Sequence, residues 1–88
     1  SVSIKDISKF DDLYTIKLEL TFDDQSFCIE VANIPRAVSS VNAVLKGNAV
    51  YIELYDESGA GFASCIVNLS HVSRRCFQCK SLILPPLT

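Results

Sequence analysis

Leu13-Tyr-Thr-Ile-Lys-Leu-Glu-Leu-Thr-Phe22 alternates with a period of two. Tyr14, Ile16, Leu18, Leu20 and Phe22 share one face, and Thr15, Lys17, Glu19 and Thr21 share the other. That pattern is an antiparallel strand with one side on a core and one side in water. Asp23-Asp24-Gln25-Ser26 is a polar turn, after which Phe27, Ile29 and Val31 resume the alternation. Residues 13–22 and 27–32 therefore predict a β-hairpin. Upstream, Val2, Ile4 and Ile7 predict a short edge strand, with Lys9-Phe10-Asp11-Asp12 as the turn that follows it. Asn33-Ile34-Pro35 ends the hairpin, because proline cannot donate to a ladder.

Residues 36–46 fit two periods. As a helix, Ala37, Val38, Val41, Val44 and Leu45 form one stripe, with Pro35 at the start and Gly47 at the stop. As a strand, Val41, Ala43 and Leu45 face one way and Lys46-Gly47-Asn48 makes a hairpin turn. The three valines and two serines lower helix propensity, but the stripe and its flanking residues favour a short helix by a small margin.

Val50, Ile52 and Leu54 alternate with Tyr51, Glu53 and Tyr55 as another amphipathic strand. Asp56-Glu57-Ser58-Gly59-Ala60-Gly61 is a turn. Phe62 to Leu69 is apolar on both faces, the pattern of a central strand packed on both sides. Ser70 to Arg75 is polar, and Cys76 to Leu84 predicts a last strand closed by Pro85-Pro86. The fold class expected is mainly β, or α+β with one short helix near 36–46: a small antiparallel sheet, sandwich or half-barrel of about six strands.

Composition narrows the role more than the fold. The chain has 88 residues, 49% of them hydrophobic and 20% charged, with a mean hydropathy of +0.29. One small domain spanning 1–88 is expected, with more apolar surface than a monomer of this size easily hides. The absence of methionine suggests a fragment or processed part of a larger protein. No apolar run reaches membrane-span length. A net charge of −2 argues against a generic nucleic-acid binder.

The charge is unevenly placed. Residues 1–57 hold all ten acids and five of the eight bases, while residues 58–88 hold Arg74, Arg75 and Lys80 and no acid. Either the two parts neutralise each other within the fold, or Arg74, Arg75 and Lys80 form a basic patch for an acidic partner. Tyr51 and Tyr55, on the less apolar face of their strand, join them as candidate partner contacts.

Other chemistry is weakly signalled. Cys76-Phe77-Gln78-Cys79 reads as half a zinc site, a redox dithiol or part of a disulfide framework, but a second Cys-x-x-Cys is missing. The plainer expectation is that the four cysteines are mostly reduced and metal-free, with Cys28 and Cys65 acting as small hydrophobes in strands. Asn68-Leu69-Ser70 fits a glycosylation sequon inside the most buried-looking strand. His71 lies five residues before Cys76 with no third group to orient a nucleophilic pair. Asp11-Asp12, Asp23-Asp24 and Asp56-Glu57 lack calcium-loop spacing. Gly59-Ala60-Gly61 precedes a strand and is not a phosphate loop.

These readings converge on a non-enzymatic protein–protein interaction or assembly domain. It would bind a protein partner or a second copy of itself, with no cofactor, metal or small-molecule substrate. An intracellular location, cytoplasmic or nuclear, is expected. Two alternatives are a zinc or redox module on Cys76 and Cys79, and a secreted, disulfide-bonded β-sandwich that acts by binding.

Overall fold

The computed structural model describes residues 1–69 and the backbone of residues 77–79. Every element in it is a strand: β1 Val2–Phe10, β2 Leu13–Phe22, β3 Gln25–Ile34, β4 Ser40–Lys46, β5 Ala49–Tyr55, β6 Gly61–Asn68 and β7 Phe77–Cys79. The fold is mainly β. One sheet has the order β1-β2-β3-β7 and the other β4-β5-β6. The pairings are antiparallel except β3 with β7, which is parallel.

Alternation sets which face is buried. Ile16, Leu18 and Leu20 of β2 and Ile29, Val31 and Ile34 of β3 are fully or almost fully enclosed. Val50, Ile52 and Leu54 of β5, with Ala63, Cys65 and Val67 of β6, close the core from the other sheet. Fully burying one such large aliphatic side chain contributes roughly 1.5–3 kcal/mol. The sheets also approach along their edges, β1 beside β4 and β6 beside β7.

The turns follow from their residues. Asp23 and Asp24 have φ of 46° and 64°. Positive φ at both central positions is the type I′ geometry that suits the right-handed twist of a two-residue hairpin. In the β4–β5 hairpin, Gly47 has a φ of 62°, a conformation that L side chains rarely adopt. The turn after β5 is organised by Asp56. Its Oδ1 accepts from the Ser58 amide (2.9 Å), the Ser58 hydroxyl (2.6 Å) and the Ala60 amide (3.2 Å).

Three expectations are corrected. The segment 36–46 holds a strand, β4, and no helix. The helical stripe fails because Val41 and Ala43 pack on the core while Val44 faces water, a period of two. Among the described residues β6 is an edge strand and not a central one. Its inward residues are buried, but Ile66 on the other face is 52% exposed. Finally, β1 runs to Phe10 and is longer than the short strand expected. A bulge at Lys5 hides it from periodicity: Ile4 pairs with Leu18, Asp6 with Lys17 and Ile7 with Ile16. One inserted residue returns Ile7 to the face of Ile4, breaking the alternation.

Candidate functional site at the end of the first hairpin

The strands of the first sheet outrun those of the second. β2 has ten residues and β5 seven. At about 3.3 Å per residue, the difference is roughly 10 Å of strand. The extra length lies at the β1–β2 turn. At the other end of β2, residues Phe22 to Phe27 share a cavity wall with Leu45, Asn48 and Leu69 of the second half.

At the β1–β2 turn the two strands fare differently. Ile34 of β3 pairs with Tyr14 and is fully buried, and Val38 in the following segment is 7% exposed. The chain thus covers the β3 side of this end. The β1 side is left in water from Lys5 onward. Ile7 is 48% exposed, Leu13 42% and Phe10 83%.

Their directions make this end unusual. Ile7 pairs with Ile16, so it lies on the face that further along forms the core. Lys9 pairs with Tyr14 on that same face, its Nζ 5.3 Å from the ring centroid. Phe10 pairs with Leu13, whose parity along β2 places both on the opposite, outward face. The hairpin end is therefore apolar on both faces. In a folded chain that pattern belongs to a strand covered from both sides. Asp11 and Asp12 cap the turn with two carboxylates, and Asp11 takes a φ of 55°.

A second apolar strip crosses the outward face of the other sheet. Val44, Tyr51 and Ile66 are direct cross-strand neighbours and are 39%, 40% and 52% exposed. They line a shallow depression of about 360 Å³. Lys46 Nζ sits 5.3 Å from the Tyr51 ring. On one side the strip is bounded by the polar row Asn42–Glu53–Ser64. On the other side the bounding row is Lys46–Ala49–Asn68.

Of the residues singled out in the sequence, Tyr51 thus lies on an exposed apolar strip. Tyr55 is half-buried against Gly61, where a Cβ would come within 3.2 Å of its ring. Its phenol pKa is raised, first by partial desolvation and then by the Glu53 carboxylate. Tyr51 and Tyr55 are two rungs apart on one face of β5. Arg74, Arg75 and Lys80 lie outside the described residues, as does His71.

The cysteines depart from expectation. Cys28 is disulfide-bonded and stands exposed on the outward face of β3, opposite Glu19. The reading of Cys28 as a reduced, space-filling strand residue is therefore wrong. Its parity held the signal: Phe27, Ile29 and Val31 point inward, so Cys28 points out. Cys65 is buried in the core, in keeping with a small hydrophobe. Cys79 ends β7 and Cys76 lies outside the described residues. Among the described residues, no group of three or more His, Cys, Asp or Glu comes together to hold a metal ion.

Asp56 has a structural role at the crossover between sheets. Its Oδ2 lies 3.3 Å from Arg36 Nη1, and the Arg36 guanidinium sits 5.4 Å from the Phe62 ring. The Ser58 hydroxyl, the turn amides and Arg36 together hold the Asp56 carboxyl below its ordinary pKa. Asp11-Asp12 and Asp23-Asp24 occupy turns at opposite ends of β2 and do not converge. Among the described residues, no helix is long and apolar enough to cross a membrane.

No family model, curated protein or solved structure matches the chain.

Proposed function

We propose that this chain is a non-enzymatic, disulfide-bonded β-sandwich that binds another protein through the end of the β1–β2 hairpin. The observation that carries the reading is the apolar character of that end on both faces, with Phe10 83% exposed and Ile7 and Leu13 each more than 40% exposed. Small domains tolerate scattered exposed hydrophobes. A projecting hairpin that is apolar on both sides is a different feature: it fits into a cleft that covers it from above and below. Asp11 and Asp12 at the tip fit a cleft with an apolar floor and basic side chains at its rim.

The Cys28 disulfide favours the secreted or lumenal alternative over the intracellular location, since such bonds persist in oxidising compartments and are rare in reducing ones. The zinc or redox alternative on Cys76 and Cys79 gains no support from the described residues.

The test is competitive retention. The wild-type domain and a Phe10→Asp, Leu13→Asp double variant are immobilised side by side and exposed to extract from the source cells, with and without excess free domain. The expected result is a protein retained by the wild type, displaced by free domain and lost from the variant, with both domains melting at similar temperatures. Equal retention by a folded variant would overturn the assignment of the hairpin end.

A further inference from the structure

Asn68 is the last residue of β6 and its side chain is exposed. It begins the triplet Asn68-Leu69-Ser70, an acceptor sequence for N-linked glycosylation whose middle residue is not proline. Inside a buried strand this triplet would mean little. The structure places Asn68 at an exposed strand end. Leu69 is buried and its amide donates to the Asn48 carbonyl at 2.6 Å. That contact anchors the strand end and leaves Asn68 facing outward.

Two further observations point to the same modification. The first is the disulfide formed by Cys28. It implies folding in an oxidising compartment, which in cells that glycosylate asparagine is the compartment where the transfer occurs. The second is what lies next to Asn68. It follows Ile66 on the outward face, one row beyond the strip Val44–Tyr51–Ile66. This strip carries three partly exposed apolar side chains that nothing in the described chain covers. The first sugars of a glycan have apolar ring faces and reach over such a row.

We propose that Asn68 carries an N-linked glycan whose core sugars lie over Ile66 and Tyr51. This surface is at the opposite end of the sandwich from the β1–β2 turn: Asn68 pairs with Ala49 beside the β4–β5 turn, and that turn shares a cavity with the β2–β3 turn. The glycan and the binding end therefore do not compete for space.

The experiment is peptide mapping of the chain purified from its source cells, before and after treatment with peptide N-glycosidase in ¹⁸O water. Expected is a peptide spanning Asn68 that is seen only after treatment, with Asn68 converted to ¹⁸O-labelled Asp. Secretion of an Asn68→Gln variant from a eukaryotic host should give a single sharp species, lighter than wild type by one glycan. In the glycosylated wild type, fluorescence of Tyr51 should change on deglycosylation, read as the difference from a Tyr51→Phe control. An unmodified Asn68 peptide from source material in which Cys28 is disulfide-linked would overturn the proposal. So would recovery of Cys28 as a free thiol, because the compartment argument would then fail.

Discussion

Phe10 and Leu13 face each other across the turn at Asp11 and Asp12, and both stand in water, 83% and 42% exposed. The cross-strand pair Leu18 and Ile29, by contrast, lies within the core. At this exposure Phe10 has little burial to lose. Exposed substitutions of this kind usually change stability by less than about 0.5 kcal/mol. Phe10→Ser is expected to leave the thermal midpoint within about 3 °C of wild type. A large fall would mean that Phe10 packs against part of the chain outside the described residues.

Leu18 and Ile52 are the opposite case. They are 1% and 0% exposed, on inward faces of β2 and β5 in different sheets. Aspartate at either position buries a carboxylate among aliphatic side chains with no partner, which costs several kcal/mol. For a domain of this size that is a large fraction of the total stability. Leu18→Asp and Ile52→Asp should each lose cooperative unfolding and near-ultraviolet circular dichroism at 25 °C. A native-like melt for either variant would contradict the two-sheet core.

Much of this core is legible in the sequence because β2, β3 and β5 each have one buried and one wet face, so a period of two appears directly. β4 is ambiguous for a physical reason. It bears apolar residues on both faces, Val41 and Ala43 toward the core and Val44 toward water, and their union mimics a helical stripe. β6 misleads in the same way through Ile66. In β1 the bulge at Lys5 erases the alternation after Ile4. The hairpin end is not legible at all. Ile7, on the core-facing side, stays exposed because the second sheet is shorter than the first, and relative strand length after packing is not written in local periodicity. The outward position of Cys28 is readable from its neighbours, but its partner requires the fold.

The Asp56 carboxylate, held first by the Ser58 hydroxyl, then by the turn amides and Arg36, should give stability a pH dependence. The folded-state pKa of Asp56 lies below its ordinary value of 3.8. A carboxyl lowered in this way contributes stability that is present above its unfolded pKa and lost as pH falls through the folded one. The melting temperature of wild type should exceed that of Asp56→Ala at pH 6, and the gap should close as pH drops below about 3.8. A gap that persists unchanged at pH 2 would assign the effect to the neutral turn hydrogen bonds instead of the charge.

Cys28 is disulfide-bonded, and its expected partner is Cys76 or Cys79. Trypsin cleaves after Arg75 and Lys80 and releases both in one peptide. Non-reducing digestion should yield Cys28 joined to peptide 76–80. Closing a loop of roughly 50 residues constrains the unfolded chain by about 4 kcal/mol. Reduction should therefore lower the urea midpoint without changing the sheet signature of β2, β3 and β5. An unlinked peptide 76–80 in protein prepared under oxidising conditions would contradict the bond.

The hairpin end as a contact surface is tested most directly by placing a photo-crosslinking amino acid at position 10, and separately at Thr21, an exposed residue near the other end of β2. Each variant is irradiated in the source cells, and crosslinked products are resolved by mass. The account predicts a discrete heterologous adduct from position 10 that disappears when Leu13→Asp is added, and no matching adduct from position 21. Equal products from both positions, or an adduct from position 10 that survives Leu13→Asp in a folded domain, would contradict it.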